Sequence, residues 1–350
     1  MKVALSTWLG VALATLGLSG AWQAARAQGS PPRLPGIDYA QVHFATQQLA
    51  PNLYTLTGSA GPDPGHPEAA GGRIGVLVGT EGILLVDGSY APLTDKIVAA
   101  IRAISPAPIK FLIDTHEHPD HTGGNPNFAR LGAVVFAREE TWKALSQPPP
   151  PALAAAIGAA ASFADPQRLP MVTYPMSGLV KIRIDGEVVD LIPVPASHTD
   201  GDTIVKFEHA DVMMIGDFYR NYGYPFIDTT HGGNFRGLID ALDLATRLSG
   251  PKTQLVPGHG SMITAAELPP YRDMILAVRE KVQRMVSEGK TLQEVLAAKL
   301  TAPYDARVRG GLQPLPAGLG TSADRFVSAL YGEVQNESRE PRGNPTAQQR

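Results

Sequence analysis

Cysteine is absent from the 350-residue sequence. The chain therefore has no disulfide bonds, no thiolate metal ligands and no cysteine nucleophile, so any metal site has to be built from nitrogen and oxygen ligands. A large charge of one sign is missing as well, because the formal net charge is −3 and acidic and basic residues are interspersed. Without a basic surface or a polybasic run, the sequence predicts neither a nucleic-acid partner nor binding to an anionic membrane.

The first 27 residues have the pattern of a secretory signal peptide. Lys2 supplies the positive charge, the segment from Val3 to Trp22 is mostly apolar, and Ala25-Arg26-Ala27 is a small-x-small cleavage site. Polar residues and glycines interrupt the apolar segment, which favours export over a stable membrane anchor. We therefore predict a mature chain that begins at Gln28 and is periplasmic or secreted.

The densest group of candidate metal ligands comes directly after a short apolar strand. Three histidines and an aspartate lie between positions 116 and 121. In an extended chain His116 and His118 point in the same direction, and Pro119 then ends the strand. Asp120 and His121 are adjacent, so a turn has to present them as a separate pair. This spacing predicts two neighbouring metal sites rather than one.

Three more candidate ligands follow other predicted strands: His198, Asp217 and His259. Each lies within a few residues of the C-terminal end of an apolar run. Ligands of open α/β sheets gather at that edge, because the loops there vary while the strands stay rigid. We therefore expect these residues to lie close to the central group.

Together, these seven residues resemble the ligand set of the metallo-β-lactamase fold superfamily of metallohydrolases. The motif His116-x-His118-x-Asp120-His121 carries the resemblance, and the three later ligands follow it in matching order. The resemblance extends over most of the chain after the signal peptide. It implies an α/β fold, namely a four-layer αββα sandwich of two mixed sheets with helices outside, here with a C-terminal helical extension.

The resemblance also implies which residues hold the metal ions. One ion takes His116, His118 and His198, the second takes Asp120, His121 and His259, and Asp217 bridges the two. Asp87 matches an aspartate that braces the site without binding metal. Two Zn²⁺ ions suit these imidazole and carboxylate ligands, although the same set would also hold iron or manganese.

Such a ligand set implies a hydrolase that acts on a small-molecule substrate. Two divalent cations about 3.5–4 Å apart hold a water between them, and zinc lowers the pKa of that water to about 7. The resulting hydroxide would attack the carbonyl of an ester, lactone, thioester or amide, and Asp120 would orient it or shuttle its proton. We therefore predict an exported dinuclear zinc hydrolase with Asp120 as a catalytic residue.

Two alternatives remain on the same fold. The first is a metallo-β-lactamase that acts on β-lactams, but such enzymes generally have cysteine, serine or another non-bridging residue where this chain has Asp217. The second is a di-iron redox protein, which normally needs a flavin or sulfur partner. No attached flavodoxin-like or rubredoxin-like segment is recognisable in the sequence.

Three further residues are predicted to support the ligands or to contact the substrate. His66 lies in a glycine-rich and proline-rich segment, Gly58 to Gly72, that is predicted to form a mobile flap over the site. Tyr222 and His231 lie in a polar loop that follows Asp217. These assignments depend on the expected closeness of the loops and not on a ligand spacing.

The chain is predicted to have five segments. They are a signal peptide (1–27), a loosely held N-terminal arm (28–48), a catalytic domain (49–268), a C-terminal helical extension (269–334) and a disordered tail (335–350). The helical extension is predicted from the helical spacing of apolar residues, and the tail from its polar composition. An alanine-rich stretch at 148–164 is predicted to be a helical insertion or flap.

Overall fold

The computed structural model describes residues 37–59, 70–147, 165–315 and 320–339 of the chain. The predicted signal peptide, His66 and the insertion predicted at 148–164 lie outside the described residues, as does most of the predicted tail. Where the chain is described, no helix combines the length and the apolar character needed to cross a membrane.

Seven strands form the first sheet, in which the spatial order follows the chain order. They are β1 (Phe44–Ala50), β2 (Leu53–Gly58), β3 (Ile74–Val78), β4 (Ile83–Val86), β5 (Ile109–Ile113), β6 (Val134–Arg138) and β7 (Val172–Tyr174). Strands β1 to β4 pair antiparallel, whereas β4 to β7 pair parallel. The loops after β4 and β5 therefore leave the sheet at the same edge, and they carry Asp87 and the central histidine motif.

Six strands form the second sheet, in the order β13-β12-β11-β10-β9-β8. They are β8 (Val180–Ile184), β9 (Glu187–Pro193), β10 (Thr203–Phe207), β11 (Val212–Met214), β12 (Gln254–Val256) and β13 (Ile263–Thr264). Because β11 and β12 are parallel and β10 is antiparallel to both β9 and β11, strands β9, β11 and β12 run in one direction. His198, Asp217 and His259 follow these three strands, so all three leave the sheet at one edge.

Nine helices lie among the described residues. They are α1 (Thr94–Ile104), α2 (Pro119–Thr122), α3 (Asn125–Arg130), α4 (Glu139–Leu145), α5 (Phe235–Leu248), α6 (Leu268–Ser287), α7 (Leu292–Ala297), α8 (Ala302–Asp305) and α9 (Ser322–Arg339). Helix α7 begins with a capping box, in which the side chains of Thr291 and Glu294 each bond the other residue's backbone N–H.

Alternating side chains bury both faces of each sheet. In β4, Leu84 and Val86 enter the core between the sheets, while Ile83 and Leu85 pack with Ile97 of α1. The second sheet is buried in the same way: Val212 and Met214 face the first sheet, and Met213 between them packs with α5, α6 and α9. Successive strand residues point to opposite faces, so an unbroken apolar strand must be covered on both sides. These contacts confirm the predicted αββα sandwich with C-terminal helices.

The N-terminal arm predicted at 28–48 is wrong for its last five residues. Residues 44–48 belong to β1, which pairs antiparallel with β2. The sequence pattern failed here because β1 is an edge strand whose side chains are mostly exposed. Its backbone hydrogen bonds to β2 hold it in place without the alternating apolar residues by which buried strands are recognised.

The disordered tail predicted from 335 begins at least five residues too early. Helix α9 continues to Arg339 and packs against α6. Polar side chains stabilise its last turns: Glu337 accepts hydrogen bonds of 2.7 and 2.8 Å from Arg279 of α6. Composition alone could not reveal that a polar helix end has an ion-pair partner on a neighbouring helix.

Candidate metal centre

Three histidine rings converge at the first predicted metal position. His116 and His118 follow β5, and His198 follows β9. His118 Nδ1 lies 3.2 Å from His116 Nε2 and 3.0 Å from His198 Nε2. Nitrogen ligands of a tetrahedral zinc ion, each about 2.0–2.1 Å from the metal, are about 3.3 Å apart. The three nitrogens therefore have nearly the spacing that a zinc site requires.

The second nitrogen of each ring is held by a neighbour. Thr115 Oγ1 lies 3.1 Å from His116 Nδ1, Asp228 Oδ2 lies 2.9 Å from His118 Nε2, and the Phe226 carbonyl oxygen lies 2.7 Å from His198 Nδ1. Partners of this kind fix the orientation of a ligand ring and the nitrogen that faces the metal.

The rings of His116 and His198 favour the neutral form. Burial lowers the pKa of His116 well below its ordinary value, and the neighbouring histidines lower it further. Burial also lowers the pKa of His198 to about 3, with His118 as the next cause. A neutral imidazole offers a lone pair, which is the form that binds a metal ion.

The second predicted triplet lies beside the first. His259 Nε2 is 2.9 Å from Asp120 Oδ2, and His121 Nε2 is 3.6 Å from the same oxygen. Asp120 and His121 belong to the one-turn helix α2, which begins at Pro119. The turn after the strand therefore separates this pair from His116 and His118, as the adjacency of the two residues predicted.

Asp217 lies between the two triplets. Its Oδ1 is 3.6 Å from His121 Nε2, while its Oδ2 is 3.4 Å from His259 Nε2 and 3.9 Å from His198 Nε2. Burial tends to raise the pKa of Asp217, but His259, His121 and His198 outweigh it and lower the pKa to about 2. The ionised carboxylate is thus within reach of both candidate ion positions.

The donor set fits divalent cations. His121 Nε2 and Asp217 Oδ1 are buried and have no hydrogen-bond partner among the described residues. Buried polar atoms are costly unless something satisfies them, and a metal ion would satisfy both. Burial disfavours a charge on His121, yet the carboxylates of Asp87, Asp120 and Asp217 raise its pKa to about 10. Positive charge at the centre of this cluster is therefore favourable.

Asp87 holds the two halves of the central motif together. Its Oδ1 accepts a 2.8 Å hydrogen bond from the Thr115 backbone N–H, and its Oδ2 accepts a 2.9 Å bond from Thr115 Oγ1. The same Oδ2 lies 2.8 Å from His121 Nδ1. The structure thus places Asp87 behind the ligands, where the resemblance implies a bracing residue.

Arg73 supports the loop of His259 and was not recognised in the sequence. Its side chain donates hydrogen bonds of 2.7 Å to the Pro257 carbonyl and 2.6 Å to the Gly260 carbonyl, on either side of His259. An arginine directly before the apolar strand β3 was the available signal. Gly72, just before it, lets the chain pass the His121 ring: a Cβ there would come within 2.4 Å of that ring.

Asp228 is the second residue that the sequence analysis missed. Besides its contact with His118, its Oδ2 lies 2.7 Å from His231 Nδ1. Its Oδ1 accepts bonds from the backbone N–H and the hydroxyl of Thr230. Burial opposes the charge of Asp228, but the bonds from His118 and His231 hold its pKa well below the ordinary range. The predicted residue His231 thus reaches the site through Asp228.

Tyr222 is buried beneath the chain that leads to α9. A Cβ on Gly310 would lie 2.4 Å from its ring, so only glycine fits over the tyrosine at that point. Its predicted contact with the substrate stays a prediction, as does that of His66, which lies outside the described residues. The seven predicted ligands, in contrast, are brought together at one edge of the sandwich.

Comparison with known proteins decides the family. Residues 70–259 match the model of the metallo-beta-lactamase superfamily, and all seven candidate ligands lie within that range. The chain belongs to this superfamily. This confirms the resemblance recognised in the sequence.

The relatives of this superfamily member differ in their substrates. The chain is 24% identical over 301 residues to a linear primary-alkylsulfatase from a Pseudomonas species, and the match covers 74% of this chain and 53% of that protein. The chain thus spans about half the length of the curated relative that it matches. A metallo-beta-lactamase family protein from Thermus thermophilus is similar in structure, with a TM-score of 0.61, 19% identity and coverage of 85% of this chain and 98% of that one.

Two further solved structures share the fold. A stereoselective inverting sec-alkylsulfatase from a Pseudomonas species has a TM-score of 0.56 and 15% identity, over 86% of this chain and 52% of that one. The DIM-1 metallo-beta-lactamase has a TM-score of 0.51 and 16% identity, over 67% of this chain and 97% of that one. At these identities the likeness shows the fold alone.

The contact between Asp228 and His118 leads to a testable prediction. Asp228→Asn removes the charge that orients the His118 ring, so we expect a loss of about 10- to 100-fold in affinity for zinc. Titration with zinc in competition with a chromophoric chelator measures this loss. Asp211→Asn is the control, because Asp211 is bonded to Thr253 next to β12. Unchanged zinc affinity in Asp228→Asn would show that His118 is oriented without it.

Proposed function

We propose that this enzyme is an exported dinuclear zinc hydrolase that attacks the carbonyl of an ester, lactone, thioester or amide. The observation that carries the proposal is the position of Asp217, whose carboxylate lies within 3.9 Å of ring nitrogens from both triplets. A carboxylate so placed would help to hold both ions and would offset part of their mutual repulsion.

Zinc and the protein have different roles in the proposed reaction. When bound, zinc supplies Lewis acidity and a nucleophile at neutral pH. The protein holds the ligands in place through Asp87, Asp228 and Arg73, which fix His121, His118 and the loop of His259. Burial opposes the charge of Asp120, but His121 and His259 outweigh it and hold its pKa well below the ordinary range. The ionised Asp120 is suited to accept a hydrogen bond from the attacking water and to orient it.

A sulfate ester is the second candidate substrate. The similarity to a linear primary-alkylsulfatase over 74% of this chain favours it. Attack on sulfur or on the alkyl carbon would use the same ligands but would release sulfate instead of a carboxylate. The β-lactam and di-iron redox alternatives have no such observation in their favour.

One experiment separates these functions. The purified protein is assayed for metal content and then for hydrolysis of esters, lactones, thioesters, β-lactams and alkyl sulfates. Close to two zinc ions per chain with carbonyl hydrolysis supports the proposal. Release of sulfate alone favours the second candidate, whereas stoichiometric iron with oxidase activity favours the redox alternative.

Export is tested separately. Because Ala25-Arg26-Ala27 follows the apolar segment, we expect secreted or periplasmic protein whose first residue is Gln28. N-terminal sequencing of protein from each cell fraction measures this. A chain that keeps Met1 in the cytoplasm would contradict the prediction, and Ala27→Arg should block cleavage if the site is correct.

A further inference from the structure

Phe226 lies against two of the three histidines that are predicted to hold the first ion. Its ring stacks on His118 with a centroid distance of 5.8 Å and an interplanar angle of 13°. The same ring meets His198 nearly edge-on, at 5.2 Å and 69°. Contact with both imidazoles restricts how far each can tilt, so Phe226 is placed to fix how they face the ion.

The backbone of Phe226 determines which nitrogen of His198 faces the ion. Its carbonyl oxygen lies 2.7 Å from His198 Nδ1. A carbonyl can only accept a hydrogen bond, so Nδ1 carries the proton and the lone pair is on Nε2. This Nε2 is the nitrogen that lies 3.0 Å from His118 Nδ1 at the predicted metal position. A shift of Phe226 would therefore change the orientation of two ligand rings at once.

Arg325 of α9 holds the Phe226 ring from the side of the C-terminal helices. Its Cζ lies 3.9 Å from the centroid of that ring. The Nε atom of Arg325 is buried and has no hydrogen-bond partner in the described part of the chain. The face of an aromatic ring attracts a guanidinium most strongly where water is excluded. This pair is therefore expected to be held more strongly than an exposed pair of the same kind.

Neighbouring contacts attach the first turns of α9 to the same loop. Ser322 accepts a 2.7 Å hydrogen bond from the Tyr224 backbone N–H, and Phe326 stacks on Tyr224 at 5.9 Å and 7°. Further along the loop, the Asp228 N–H donates a 2.9 Å bond to the His198 carbonyl. The segment from Tyr224 to Asp228 thus connects α9 to the chain around a candidate ligand.

A second pair of an arginine and a phenylalanine offers a comparison within the same protein. Arg279 of α6 lies 4.5 Å from the centroid of the Phe235 ring and also bonds Glu337. Phe235 packs in the core that α5, α6 and α9 form on the second sheet. Phe226, in contrast, contacts the rings of two candidate ligands. Loss of the Arg279 pair should therefore affect packing without affecting the ligands.

We propose that Arg325 is a positioning residue for the first ion: by holding Phe226 it fixes the rings of His118 and His198, so that helix α9 sets the affinity of that ion. The inference rests on the proposed function, because it concerns the metal ligands of that function. It makes the C-terminal helices a part of the metal centre and not only a cover for the second sheet.

The two ions should respond differently to the loss of Arg325. Titration with zinc in competition with a chromophoric chelator resolves the two binding steps. For Arg325→Gln we expect the first ion to bind about 10-fold more weakly, the lower end of what residues behind a ligand contribute. The weakened step should be the one that Asp228→Asn weakens through His118. Arg73→Gln, which loosens the loop of His259, should weaken the other step.

Three further variants show whether Arg325 acts through Phe226. Phe226→Leu keeps the backbone carbonyl but removes the ring, and it should weaken the first ion by about 10-fold. The double variant with Arg325→Gln should lose little more, because substitutions of two residues in contact are not additive. Arg325→Lys keeps a cation over the ring and should recover part of the loss. The visible spectrum of the cobalt-loaded protein, which reports ligand geometry, should change in Arg325→Gln and Phe226→Leu.

A control variant and a second readout identify a purely structural effect. Arg279→Gln should lower Tm but leave both zinc affinities and the cobalt spectrum unchanged. Equal weakening of both ions, wild-type affinities in Arg325→Gln, or additive losses in the double variant would overturn the inference. None of these measurements requires turnover, so two bound ions without ester hydrolysis sink only the proposed reaction. A wild-type protein that binds no zinc would sink the dinuclear centre and this inference together.

Discussion

Asp217→Asn is expected to lower kcat by at least about 10²-fold, the scale of losing a major electrostatic group. Asparagine keeps the shape of the side chain but loses its charge and one good donor oxygen. Because Asp217 lies between the two triplets, the substitution should weaken the binding of one ion much more than the binding of the other. Zinc analysis after dialysis and steady-state kinetics at saturating substrate measure the two effects.

A matched variant separates this effect from the general cost of removing a buried aspartate. Asp190 is buried in β9 and bonds Lys181 at 2.6 Å, away from the ligands. Asp190→Asn should therefore keep both ions and near-normal turnover, even where it lowers Tm. Two tightly bound ions together with normal kcat in Asp217→Asn would show that the carboxylate does not bridge.

Removal of the metal ions is expected to abolish hydrolysis. Dipicolinate treatment should lower activity by at least about 10³-fold, because the nucleophile and the Lewis acid both come from the ions. Zinc at two equivalents should restore it. The ions would also satisfy His121 Nε2 and Asp217 Oδ1, which are buried and have no hydrogen-bond partner among the described residues.

The same treatment should lower thermal stability. A ligand present at a thousand times its Kd stabilises the folded state by about 4 kcal/mol, which corresponds to a shift in Tm of about 10 °C. Calorimetry of the metal-free and the zinc-loaded protein measures this shift. An unchanged Tm, or activity that survives complete removal of metal, would contradict the assignment of the ligands.

The sequence alone determined the fold class and the candidate ligands. Apolar runs mark the strands and ligands at fixed spacing follow their ends, and the resemblance carried by those ligands implied the αββα sandwich. His116 and His118 could be paired because an extended chain has a period of two. Asp120 and His121 could be separated from them because Pro119 ends the strand. The later ligands were found from their strand context and from the resemblance.

Only the tertiary structure decided what surrounds those ligands. Asp228 and Arg73 have no spacing in the sequence that relates them to the histidines they support. Asp228 lies more than a hundred residues after His118, yet its Oδ2 is 2.9 Å from the Nε2 of that ring. Contacts of this kind depend on how helices and loops pack, which a pattern along the chain does not encode.

Both errors in the fold have the same physical origin. Residues 44–48 form a strand because β2 offers hydrogen-bond partners, and residues 335–339 stay helical because α6 offers Arg279. Neither segment has enough apolar residues to reveal its structure by itself. Sequence determined the elements that bury their own side chains, whereas tertiary structure decided those that depend on a neighbour's polar groups.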